Sequence, residues 1–265
     1  MMEKSEDKLK EIEEWICDNT QEEGFGSVYE RISLGRFLNR IKNQFKFKTV
    51  LEYGAPYSKG YDNMVFLKNK CEVTIADPKI EKIKKNWPSK TKPLFTNMDL
   101  KNTQDKKYDL VWNFAYINTN PEVIEKMKEK SKKYVLFFTP NIWNYGTPFH
   151  IVYHIISRTK CTHAERGPIE YRKISGLKKF AKKNGLKIIE TGYVDMPWWP
   201  DTAFGIREFK ENVLKKKLPP PEKKDSQPGK QVLEKVNAHM FVENSKLGPI
   251  RYLFAHHQYI LAEKI

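Results

Sequence analysis

The chain is short of cysteine and of arginine, and it has no long apolar run. Its three cysteines, Cys17, Cys71 and Cys161, stand far apart, which excludes a disulfide framework and suits a reducing compartment. No stretch approaches the roughly 18 apolar residues that a membrane-crossing helix needs, so no transmembrane segment is expected. The N-terminus, MMEKSEDKLKEIEEW, is acidic where a secretory leader would be basic and then apolar, so a cytoplasmic location is expected. Neither HExxH nor CxxC occurs, and no metal is expected, although His150 and His154 are four apart with Cys161 and His163 beyond. Of the 48 cationic residues only eight are Arg. Arg is the residue that reads phosphates and guanine bidentately, so its scarcity counts against a nucleic-acid surface.

What is present is ample core material. Hydrophobic residues make up 39% of 265 positions, with six Trp, 13 Tyr and 15 Phe, which excludes whole-chain disorder. The length suits one large domain, or a domain with an appendage. The net charge of +15 is uneven: residues 1–24 hold nine acids against three lysines, leaving a basic body behind an acidic start. Such a charge bears on association and not on fold.

The first 48 residues read as a helical extension or lid. Leu9, Ile12 and Ile16 share one face of a helix over 5–18. A second helix is expected from Ser27, because Ser27 and Glu30 have capping-box spacing. From residue 49 strands and helices alternate. The predicted strands are Thr49–Tyr53, Glu72–Ala76, Pro93–Asn97, Tyr108–Phe114 and Tyr134–Thr139, with helices over 61–70, 79–87 and 121–132 between them. This alternation implies crossover connections and a mostly parallel sheet. A further helix over 175–184, stopped by Gly185, leads to the strand Leu186–Val194, and a last strand is expected over 251–262. Between those two strands, residues 195–250 read as an insertion whose Pro- and Lys-rich part, KKKLPPPEKKDSQPGK, has loop composition.

Chemistry concentrates after the first two strands. The first ends in Glu52-Tyr53-Gly54 and the second at Asp77, 23 residues after Gly54. A glycine lets the backbone approach a bound nucleotide, and a carboxylate at the next strand end can accept hydrogen bonds from ribose hydroxyls. The third strand leads to Met98-Asp99, the fourth to Asn113-Phe114 and the fifth to Pro140-Asn141.

With these stations the chain resembles the class I S-adenosylmethionine-dependent methyltransferases, particularly the type-11 group of mostly small-molecule enzymes. The resemblance covers about residues 49–194 and resumes at 251–262. It implies an α/β fold: a Rossmann-like three-layer sandwich around a mostly parallel seven-stranded sheet with its last strand antiparallel. It also implies S-adenosylmethionine as cofactor and a small-molecule or lipid-like acceptor. Tyr53, Gly54 and Ala55 would then face the methionine part of the cofactor, with Glu52 orienting the loop or holding the cofactor's amino group through water. Asp77 would hold the ribose, and Pro78, Met98 and Asp99 would border the adenine. Asn113 and Phe114 would line the methionine side. The family's further loop glycines are replaced here by Pro56 and Ser58, and because proline lacks an N–H and fixes φ, this loop turns differently.

Methyl transfer depends chiefly on alignment and exclusion of water, so a base is needed only where the acceptor must lose a proton. Tyr145, His150 and Asp195 are the polar candidates in segments expected over the sheet's carboxyl edge. Trp143, Tyr145, Trp198 and Trp199 are the aromatics available to line an acceptor pocket. His256 and His257 are expected to be a feature of the last strand. The competing readings are an RNA or DNA methyltransferase using the basic surface, a nicotinamide oxidoreductase using Asp77, and a non-catalytic protein on a cofactor-binding fold.

Overall fold

A computed structural model describes residues 3–55, 59–99, 106–115, 117, 120–158, 168–200, 206–217, 226–246 and 248–265. The chain opens with two long helices, α1 (Glu3–Thr20) and α2 (Phe25–Phe45). There follow β1 (Thr49–Tyr53), α3 (Met64–Lys68), β2 (Glu72–Ala76), α4 (Ile80–Lys85), β3 (Leu94–Thr96), β4 (Tyr108–Phe114), α5 (Val123–Lys130) and β5 (Ser131–Pro140). After these come α6 (Thr147–Ser157), α7 (Ile174–Lys183), β6 (Leu186–Val194), α8 (Ile206–Asn212), α9 (Gly229–His239) and β7 (His257–Lys264).

The seven strands form one sheet in the order β3-β2-β1-β4-β5-β7-β6. The first five pair in parallel, while β7 is antiparallel to both β5 and β6. The strands are apolar on both faces because helices cover both. On one face Val50, Ile75, Leu110, Trp112, Leu136 and Phe138 pack with α1, α2, α3 and α9. On the other Leu51, Val111, Val135 and Phe137 pack with α5 and α7. Each fully buried side chain of this kind contributes about 1.5–3 kcal/mol. The expected three-layer sandwich with one reversed strand is therefore what forms.

Several local expectations shift. Ser27 does not cap α2. Gly24, at φ +96°, breaks the chain three residues earlier, and Ser27 instead donates to the Glu23 carbonyl at 3.3 Å. That leaves the Glu30 carboxylate for other partners. The helix expected to run to Lys132 ends at Lys130, because Ser131 already pairs with Tyr108 of β4. The last strand begins at His257 and not at Arg251. His257 pairs with Pro140 and Val194, the ends of β5 and β6, and before it the chain forms a 3-10 helix over Gly248–Leu253. Within 195–250, α9 lays Val232, Leu233 and Val236 into the core shared with α1 and α2.

α2 positions the site. Its Phe37 packs on Phe138 and Tyr259 at ring separations of 5.6 and 4.4 Å, and Arg40 pairs with Glu190 of β6. The same helix buries Tyr29, Arg31 and Ser33.

Candidate active site at the carboxyl edge of the sheet

At the end of β1, Gly54 has φ +83°, a conformation that any side chain would strain, and its N–H donates to the Ala76 carbonyl at 2.7 Å. The next two contacts fix Asp77. Ala55 N–H donates to Asp77 Oδ2 at 2.8 Å and Lys79 N–H to Oδ1 at 2.7 Å. The carboxylate is fully buried, yet each oxygen has accepted only one of these hydrogen bonds and can take a second. A cleft of about 760 Å³ borders it, lined by Ala55, Asp77, Lys79 and Tyr61 together with Asp18 of α1 and Gln21 just after it. This volume lies within the range of small-molecule and cofactor sites. A glycine-permitted turn, a buried acid with acceptor capacity left and a cleft of this size together fit an adenosyl cofactor.

The neighbouring positions hold this corner stiff. Tyr53 OH donates to the Met98 carbonyl at 2.9 Å, tying the end of β1 to the end of β3. Asn113 Nδ2 donates to the Tyr53 carbonyl at 2.5 Å and its Oδ1 accepts from Ile117 N–H at 2.9 Å. Glu52 is buried and accepts from Asn63 Nδ2, whose Oδ1 accepts from Trp112 Nε1 at 3.1 Å. Pro78 and Asp99 are exposed, and Met98 is half-buried. Pro56 and Ser58 lie outside the described residues.

Phe114 faces the other half of the edge. Its ring sits 5.5 Å from Phe138 and 4.7 Å from His257. Here a second polar group assembles. Asp195, one residue beyond β6 and at φ +59°, is 1% exposed. Its N–H donates to Ser33 Oγ and its carbonyl accepts from His256 N–H, both at 2.9 Å. His256 Nδ1 lies 2.8 Å from Asp195 Oδ2, and His257 Nδ1 lies 3.6 Å from the same oxygen and 3.9 Å from Glu30 Oε2. Burial alone would raise the Asp195 pKa, but the two imidazoles hold it below the usual carboxylate range. Burial lowers that of His257, and the carboxylates of Asp195 and Glu30 more than restore it, so it ends above the ordinary value. Glu30 is pushed up to about 7 by burial, with His257 pulling the other way. Beside this group, Tyr29 OH donates to Glu243 Oε2 at 3.0 Å and Ser33 Oγ to Glu243 Oε1.

The edge therefore brings Asp195 together with His257 and Glu30, and it corrects the reading of His256 and His257 as strand features only. The register that sets Val194 opposite His257 also sets Asp195 beside His256. The other acceptor-side candidates stand apart. Tyr145 OH donates to the Trp198 carbonyl at 2.5 Å, Trp198 stacks near His239, and Trp199 packs among Phe25, Tyr29 and His239. Trp143 is exposed. His150 is buried on α6 with its ring 4.5 Å from that of His154, while Cys161 and His163 lie outside the described residues.

The strand order and the reversed β7 give the mostly parallel seven-stranded sheet that the resemblance implies. No protein-family model matches the chain, and no curated protein matches it. Among solved structures it is similar to a SAM-dependent methyltransferase from Archaeoglobus fulgidus, with 16% identity, TM-score 0.45, and coverage of 87% of this chain and 94% of that one. It is also similar to the plantazolicin methyltransferase BamL in complex with a triazolic desmethylPZN analog and SAH, with 12% identity, TM-score 0.49, and coverage of 98% and 97%. A third is a cyclopropane-fatty-acyl-phospholipid synthase-like protein from Lactobacillus casei, with 11% identity, TM-score 0.43, and coverage of 89% and 92%. What each of those proteins binds is a property of that protein.

Proposed function

We propose that the chain is an S-adenosylmethionine-dependent methyltransferase acting on a small-molecule or lipid-like acceptor. The observation that carries this reading is the corner where β1 and β2 end side by side: Gly54 N–H donates to the Ala76 carbonyl, Ala55 N–H donates to Asp77, and Ala55 and Asp77 line a cleft of about 760 Å³. The cofactor, when bound, supplies a methyl group on a sulfonium centre. The chain's own work is then to bind, orient and keep water out. Asp77 accepts from the ribose hydroxyls through the acceptor capacity its backbone bonds leave. Tyr53, Gly54 and Ala55 present backbone to the methionine part, and Pro78, Met98 and Asp99 border the adenine. Glu52 and Asn113 act by position, because their polar atoms are engaged in fixing the loop ends.

On this reading Phe114 stands between the two halves of the edge, and Asp195 is the acceptor-side carboxylate. Tyr145, His150, Trp143, Trp198 and Trp199 form the outer wall on that side. Residues 1–48 serve as the lid, a reading supported by Asp18 and Gln21 lining the same cleft as Asp77. Among the described residues no helix is long and apolar enough to cross a membrane. The buried free thiols of Cys17 and Cys71 support a cytoplasmic setting.

Thermal-shift titration with S-adenosylhomocysteine and, separately, NAD tests the reading. Stabilisation by the sulfur ligand alone is expected, and stabilisation by NAD alone would overturn it in favour of an oxidoreductase.

A further inference from the structure

We propose that Glu30, Asp195 and His257 form a divalent-cation site on the acceptor half of the edge. The three residues come from α2, the end of β6 and the start of β7, and one ligand atom from each lies within 4.8 Å of the others. The Asp195 side chain is 1% exposed; His256 Nδ1 stands 2.8 Å from its Oδ2, while its Oδ1 and His257 Nδ1 have no hydrogen-bond partner. A buried carboxylate in that condition is costly unless a cation compensates it. One imidazole nitrogen with two carboxylates suits Zn²⁺, Mn²⁺ or Fe²⁺, whereas Ca²⁺ prefers six to eight oxygens.

Two of the three donor separations are close to ligating ones, and the third, Asp195 to Glu30, is within 4.8 Å. Bond lengths of about 2.0–2.2 Å put neighbouring donors about 3–3.5 Å apart. The 3.6 Å between Asp195 and His257 and the 3.9 Å between His257 and Glu30 need to close by only tenths of an ångström. His256, 2.8 Å from Asp195 Oδ2, and Ser33, which accepts from the Asp195 N–H, are positioning residues that aim the carboxylate. Three protein donors leave positions for water or for an oxygen of the acceptor. Only this last role rests on the methyltransferase reading; cation binding does not.

The test uses full-length protein stripped with EDTA and titrated with Mn²⁺, followed by electron paramagnetic resonance, and with Zn²⁺, followed by calorimetry. One equivalent is expected to bind saturably. Asp195→Asn and His257→Gln should each weaken binding at least about tenfold, while His239→Gln leaves it unchanged. Absence of uptake by the wild-type protein, or uptake that survives Asp195→Asn in a folded variant, would overturn the site. If Asp195→Asn does not fold, Co²⁺-loaded wild-type protein decides. Paramagnetically shifted imidazole resonances lost in His257→Gln support the site, and their absence overturns it. S-adenosylhomocysteine is titrated in parallel. Its binding without metal uptake removes this inference alone, and metal uptake without its binding removes the methyltransferase reading alone.

Discussion

Asp77 is the residue on which the proposed cofactor corner turns, because it joins the loop after β1 to the turn after β2 through two backbone N–H groups. Replacing it with Ala removes a charged acceptor, so S-adenosylhomocysteine affinity should fall by about 1.5–3 kcal/mol, roughly tenfold or more. Calorimetry on the variant checks this, and unchanged affinity would move the ribose elsewhere. Asp62 offers a pH test away from that corner. It is buried beside Arg31, whose guanidinium also pairs with Glu23 at 2.8 Å, and burial raises its pKa from 3.8 to about 6 despite Arg31 at 3.3 Å. With the folded value above the unfolded one, its contribution to stability is fully present below about pH 4. It is lost as the pH rises through 6, by about 3 kcal/mol. Asp62→Asn should therefore be as stable as wild type or more so at pH 7.5, and should lack this loss in urea titrations between pH 4 and 7. A variant clearly weaker at pH 7.5 would mean that the Arg31 pair outweighs burial. Gly54 and Asp77 were legible because a nucleotide corner is local, two strand ends joined by one crossover. Asp195 was named from its place after the sixth strand, but its grouping with Glu30 and His257 was not legible, because no spacing along the chain encodes a contact that the sheet makes between distant segments.

At the scale of elements, the close seating of α9 on α1 is the least expected feature. A Cβ on Gly229 would stand 2.3 Å from the Glu14 carbonyl oxygen and 2.7 Å from Asp18 Oδ1, to which the Gly229 N–H donates. Gly229→Ala should thus pry the two helices apart at a cost of about 1–3 kcal/mol, seen as a drop in Tm. Gly35, inside α2, is the contrasting case. Its added Cβ would meet Ile16 and Val65 at 3.7 Å, ordinary contact, so Gly35→Ala should stabilise by about 0.5–1 kcal/mol. Equal effects of the two substitutions would contradict the packing of α1, α2 and α9. β1, β2, β4 and β6 were legible to the residue because each is an apolar run bounded by turn residues. α9 was missed because only Val232, Leu233 and Val236 mark its inner face within a lysine-rich, loop-like stretch. The start of β7 was misplaced because Arg251-Tyr-Leu-Phe has strand composition. Pairing, however, is limited by where β5 and β6 end.

Across the whole molecule, the sheet edge divides into two halves with different chemistry. On the side of β1 and β2 lies a cleft with a buried acid and backbone N–H groups, and on the side of β6 and β7 a cluster of carboxylates and imidazoles around the buried Asp195, with Phe114 against His257. The charge follows a similar division. The acidic first helices spend Glu13 on Arg36 and Glu23 on Arg31 and Lys59, so part of the acidic start holds the fold together, while most of the described lysines are exposed or half-buried and Lys130 is buried. The basic total of +15 is therefore mostly a surface property, and it gives a nucleic-acid acceptor no specific support. The account stands on the first half of the edge being a cofactor site. Calorimetric titration of the pure protein with S-adenosylhomocysteine tests that most directly. One saturable site, weakened at least about tenfold in Asp77→Ala, is the predicted result. No heat and no change in melting temperature from the wild-type protein would contradict it.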